Sequence, residues 1–64
     1  MSYHCLLINQ KTNERKELVY SNEEELVKIV GDYVVSRARE LGQTSTTIIN
    51  SGTTFKMLIN YRPN

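Results

Sequence analysis

One cysteine and one histidine are the only thiol and the only imidazole in this chain. Cys5 alone excludes an intrachain disulfide. Cys5 with His4 falls short of the four ligands of a structural zinc site. There is one aspartate, Asp32. It falls on the polar side of its helix, so no Ser/His/Asp set can be assembled. The glycines are few and unclustered, which excludes a glycine-rich phosphate loop. No apolar run approaches the ~20 residues of a membrane-spanning helix. No basic stretch leads into an apolar one at the start, so no secretory leader is expected. A lone thiol suits a reducing compartment, and the cytoplasm is the expected location. With so few chemical groups, the expectation is a protein that is not an enzyme and uses no cofactor.

Charge is also in short supply. The net charge is +1, which gives no electrostatic reason to expect nucleic acid. The distribution is uneven. Lys11, Arg15 and Lys16 stand against Glu14 and Glu17 in the first third. Acids then concentrate at Glu23, Glu24 and Glu25, where the positive end of a helix dipole favours them. From residue 42 onward Lys56 and Arg62 are the only charged side chains.

What the chain has is 39% hydrophobic and 23% charged residues, in the range of folded globular domains. Sixty-four residues make one domain that buries roughly 60% of its unfolded surface. Its core leaves only about 3–5 kcal/mol of net stability. Good packing or association with a second chain must supply the rest.

Residues 3–9, YHCLLIN, and 15–20, RKELVY, read as two strands. QKTN between them is a polar turn in which Asn13 can take a left-handed conformation. The pair forms a hairpin over 3–20. SNEEELVKIVGDYVVSRARELGQ follows. Leu26, Ile29, Val30, Tyr33, Val34, Ala38 and Leu41 recur at three- and four-residue steps, which predicts one amphipathic helix over 22–41. Ser21 with Glu24, or Asn22 with Glu25, has the spacing of a capping box. Glu24 and Lys28 form an i,i+4 pair, and Gly42 is a natural C-terminal stop. Gly31, mid-helix, either lets the helix approach the sheet or is simply tolerated at about 1 kcal/mol.

TSTTIIN and TTFKMLINY are β-branched runs on either side of Ser51-Gly52. They predict a tight hairpin over 44–61. The fold class is therefore α+β, in the order ββαββ. One amphipathic helix packs on one face of a four-stranded, mainly antiparallel sheet.

The hairpins assign faces. Ile48, Phe55, Met57, Ile59 and Tyr61 fall on the core side. Ser45, Thr47, Ile49, Thr54, Lys56, Leu58 and Asn60 fall on the other, where threonine is a water-tolerant strand former. In the first hairpin Tyr3, Cys5, Leu7, Leu18 and Tyr20 face the core. His4, Leu6, Ile8 and Val19, with Arg15 and Glu17, face away. CLLI is apolar on both faces, so the first strand is expected inside the sheet.

One helix covers one face, which leaves Leu6, Ile8, Val19, Ile49 and Leu58 as an aliphatic patch framed by polar residues. Arg37 falls inside the apolar helical arc. It either snorkels past the sheet edge or faces a partner. The leading expectation is a non-enzymatic interaction protein that self-associates or binds a protein through its sheet, using Leu6, Ile8, Val19, Ile49, Leu58 and Arg37. The alternative is nucleic-acid binding through Arg15, Lys16, Arg37, Arg39, Lys56 and Arg62. Tyr3, Tyr20, Tyr33 and Tyr61 could stack on bases, but fall mostly on the core side. Cys5 is expected as a small buried apolar residue. Small ββαββ proteins occur among phage and mobile-element accessory proteins, an association carried by fold-level analogy alone.

Overall fold

The structure, a computed structural model, describes residues 1–63. Its elements are β1 (Ser2–Asn9), β2 (Arg15–Tyr20), α1 (Glu23–Val30), α2 (Asp32–Leu41), β3 (Gln43–Asn50) and β4 (Thr53–Arg62). The four strands form an antiparallel sheet in the order β2-β1-β4-β3. The strands nearest the two ends of the chain thus pair at the centre. β1 lies inside the sheet, as its two apolar faces require.

The turns follow from single residues. In the first hairpin Asn9 Oδ1 accepts from the N–H groups of Lys11 and Thr12 at 2.9 and 3.1 Å. Asn13 takes a φ of 64°, a left-handed position that asparagine tolerates. In the second hairpin Ser51 and Gly52 have φ values of 51° and 79°. Two consecutive positive values mark a type I′ turn, whose twist matches that of the strands it joins. Asn50 then faces Thr53 and Ile48 faces Phe55, the register expected from the loop.

The helical segment departs from the expected single helix. It is two helices, and the order is ββααββ. Gly31 has φ 90° and ψ 162°, a conformation open essentially to glycine alone. A Cβ there would meet nothing within 4 Å, so close packing is not the reason for glycine. The N–H of Gly31 donates to the carbonyl of Val27 at 2.7 Å and ends α1. Asn22, rather than Ser21, caps the start: its Oδ1 accepts from the N–H of Glu24 at 2.9 Å. Gly42 is left-handed at the end of α2, with its N–H on the carbonyl of Ala38.

The break resets the helical phase. A continuous helix turns 100° per residue and would carry Tyr33, Arg37 and Leu41 under the arc of Leu26 and Val30. Instead α2 buries Val35 and Ala38, while Tyr33 and Leu41 are 72% and 60% exposed. Arg37 is therefore not a charge on an apolar face, and it does not snorkel. It lies on the solvent side of α2, with its guanidinium 5.7 Å from the Tyr33 ring centre. Ile29 is also exposed.

The core comprises Tyr3, Cys5, Met57 and Ile59 from the central strands and Leu26, Val35 and Ala38 from the helices. β4 has ten residues and at ~3.3 Å per residue spans about 33 Å. The ten residues of α2 rise only about 15 Å. The helices consequently cover one end of the sheet. At the other end Leu7, Ile29, Ile48 and Phe55 line an apolar cleft of about 250 Å³.

Candidate interaction surface

The helix-free face is built by the pairing register. Three rows cross all four strands: Val19–His4–Asn60–Gln43, Glu17–Leu6–Leu58–Ser45 and Arg15–Ile8–Lys56–Thr47. Leu6 and Leu58 are thus direct neighbours on the two central strands, with Ile8 one row away. Val19 lies diagonal to Leu6. These four aliphatics form one patch across three strands, β2, β1 and β4. Ile49 is 73% exposed, but the Thr47–Lys56 row separates it from Leu58. It belongs to the β3 edge rather than to the centre.

Leu6, Ile8 and Leu58 are half-buried by their neighbours, and Val19 is exposed. No helix lies over them. The rim is polar, with Glu17 beside Leu6, and Arg15 and Lys56 on either side of Ile8. A shallow depression of about 260 Å³ runs between β2 and β4 on this face, and His4, Leu6, Glu17, Val19, Asn60 and Arg62 line it.

Arg37 does not join this patch, since it stands in the helical layer on the opposite side of the sheet. The six basic residues considered for nucleic acid are likewise dispersed. Arg15, Lys56 and Arg62 share the open face, with Ile8, Leu58 and Asn60 among them. Lys16 pairs with Leu7 on the helix side. Arg37 contacts Tyr33. Arg39 is bound to Glu23. They trace no continuous path for a backbone.

The sequence pattern did not reveal the cluster of Tyr3, Glu23 and Arg39. The Tyr3 hydroxyl and the Arg39 guanidinium both donate to Glu23 Oε1. Residues 20 and 16 positions apart carry no helical spacing that could signal such contact. The Tyr3 ring is buried and stacks against Tyr61 at 5.0 Å, tilted by 45°. Burial is the main cause that holds the Tyr3 hydroxyl above its ordinary pKa, and the bond to Glu23 adds to it. The same bond from Tyr3, with Arg39, holds the Glu23 carboxyl below its ordinary value. Arg39 is held above its own by Tyr3 and Glu23. The cluster ties β1 to both helices, and so locks the helical layer on the sheet.

Cys5 is buried, and burial pushes its thiol up to about 11. At neutral pH it is a packed apolar group, as expected. Tyr3, Tyr20 and Tyr61 belong to the core side, whereas Tyr33 is exposed, a consequence of the helix break. Among the described residues, no group of three or more His, Cys, Asp or Glu side chains is placed to hold a metal ion. Among these residues, no helix is long and apolar enough to cross a membrane. No family model matches the chain, and no curated protein or solved structure is significantly similar to it.

Proposed function

We propose that this chain is a small non-enzymatic interaction protein that works through its sheet. The observation that carries this reading is the placement of Leu6, Ile8 and Leu58 on the two central strands with no layer above them. An antiparallel sheet commonly leaves one face to solvent, but that face is then polar; here its two central strands carry aliphatic side chains. An apolar centre with a polar rim is the layout of a protein-binding patch. Covering it removes apolar surface from water at ~25 cal/mol per Å². Arg15 and Lys56 flank Ile8, so the surface that fits is a protein with an aliphatic centre and a carboxylate at its margin. The thiol pushed up to about 11 is no nucleophile at neutral pH, which weighs against a catalytic role.

Site-specific photo-crosslinking in cells tests this. A photoreactive side chain at Leu58 should give a discrete protein adduct, and Leu6→Glu should abolish it while the circular dichroism spectrum is retained. A folded protein that forms adducts from position 37 and none from position 58 would overturn the proposal.

A further inference from the structure

The two edges of the sheet differ in chemistry. Along β2, Arg15, Lys16 and Glu17 occupy three of six positions, and charge on an edge strand discourages pairing with another strand. β3, QTSTTIIN, has eight residues with no charge and no proline. Its register against β4 runs without a bulge. Natural sheets rarely leave such an edge open.

The hydrogen-bond phase shows which groups β3 leaves free. The N–H of Tyr61 donates to the carbonyl of Gly42 at 2.9 Å. Hydrogen-bonded pairs alternate along an antiparallel ladder. Thr44, Thr46, Ile48 and Asn50 therefore direct their backbone groups at β4. Gln43, Ser45, Thr47 and Ile49 direct theirs outward, away from the sheet.

The layer above this edge has a matching flank. α2 packs chiefly on β3. The ion pair of Arg39 with Glu23 turns one flank of α2 toward α1. At 100° per residue, Tyr33, Arg37 and Leu41 fall on the other flank of α2, away from Glu23, and all three are exposed. Tyr33 and Leu41 are the most exposed large apolar residues of the helices.

From the proposed role of the sheet and these features we infer that β3 pairs with β3 of a second copy about a twofold axis. The result is an eight-stranded sheet with the two α2 helices side by side above the seam. The strand is self-complementary. A register centred on Thr46 sets Ser45 opposite Thr47 of the second copy and Gln43 opposite its Ile49. It uses every outward backbone group, for about eight new hydrogen bonds. No like charges meet along it. The eight residues of β3 offer an edge of about 26 Å, and the exposed side chains of α2 add apolar surface beside it. Pairing at this edge leaves both open faces free and joins them into one platform, which suits a partner that is itself repeated or twofold.

Sedimentation equilibrium with variants tests the inference. The wild type should show twice the chain mass at ~100 μM, a concentration at which even a weak pair is populated. Thr47→Pro removes one outward N–H and leaves the β3–β4 ladder intact, and it should be a folded monomer. Leu6→Glu, on the open face, should remain a dimer. A wild-type monomer overturns edge pairing and leaves the open-face reading standing. A dimer lost in Leu6→Glu and kept in Thr47→Pro also overturns it, in favour of face-to-face association. Should Thr47→Pro fail to fold, amide exchange of the wild type decides. The N–H groups of Ser45, Thr47 and Ile49 should be protected at high concentration and exchange faster on dilution. Rapid exchange of those three at every concentration, with Thr46 and Ile48 protected, is incompatible with the pairing.

Discussion

Gly31 shows how much one residue decides in a chain this small. Its backbone sits where an L side chain is strained, at a cost of about 1–3 kcal/mol. Gly31→Ala has room for its methyl, so the whole effect is conformational. The expected loss is a large part of the ~3–5 kcal/mol that a domain of this size holds, and a urea titration would read it as a lower midpoint. An unchanged midpoint would mean that the break at residue 31 does not exist in solution. Glu23 allows a second check. Its carboxyl is depressed first by the Tyr3 hydroxyl and then by Arg39. A depressed carboxyl binds its proton more weakly in the folded chain than in the unfolded one. Its contribution is therefore full above the ordinary glutamate value near 4.3. It is lost as pH falls through the lower folded value. The wild type should accordingly exceed Glu23→Gln in stability at pH 7, and the gap should narrow by pH 3. A gap that widens on acidification would contradict the hydrogen bonding of the cluster.

Within the elements, legibility depended on how local the signal was. The hairpins could be read because a two-residue Ser-Gly loop fixes its own register, and alternation then assigns every side chain to a face. Alternation counted from the turn at 10–13 sets Leu6 and Ile8 on the open face, and counted from Ser51-Gly52 it sets Leu58 there. The helix was harder. Gly31 inside a run of well-spaced apolar residues costs a continuous helix only about 1 kcal/mol, so periodicity alone favoured continuity. Phase is cumulative, and one non-helical residue shifted the face after it, although Val34 and Ala38 still meet the core. A continuous helix puts Tyr33 and Leu41 on the apolar face, leaves Val35 off it and makes Arg37 an apparent anomaly. Paired substitutions separate the two phases. Val35→Ala should cost about 2 kcal/mol, the lower end for truncation of a large buried aliphatic. Tyr33→Ala should fall within ~0.5 kcal/mol of wild type, as exposed positions do. Chemical denaturation of both variants measures this, and the opposite ranking would restore the single helix.

For the molecule as a whole, strand order was beyond local reading, because two hairpins can meet along either pair of edges. Here β1 and β4 meet, which buries the strands most apolar on both faces and leaves a charged edge and a neutral one. The short helical layer then closes over about half the sheet, which accounts for both the thin core and the open surfaces. The basic side chains are split between the open face and the helical side, and the net charge is +1. Duplex DNA should therefore show no submicromolar gel shift at ~150 mM salt. The neutral edge has a thermodynamic consequence too. If folding ends in a pair of chains, unfolding releases two molecules, and dilution favours release. A tenfold rise in concentration then adds ~1.4 kcal/mol per dimer, or about 0.7 kcal/mol per chain. One kcal/mol moves the midpoint of a domain this size by roughly 4–8 °C, so the thermal midpoint should climb by about 3–6 °C for each tenfold increase across the range in which the pair persists. Differential scanning calorimetry from ~10 to ~1,000 μM covers enough of that range. Thr47→Pro should melt at one temperature throughout, because a monomer has no such term. A wild-type midpoint equally indifferent to concentration would show that each chain carries its thin core alone, and that the edge of β3 meets only water.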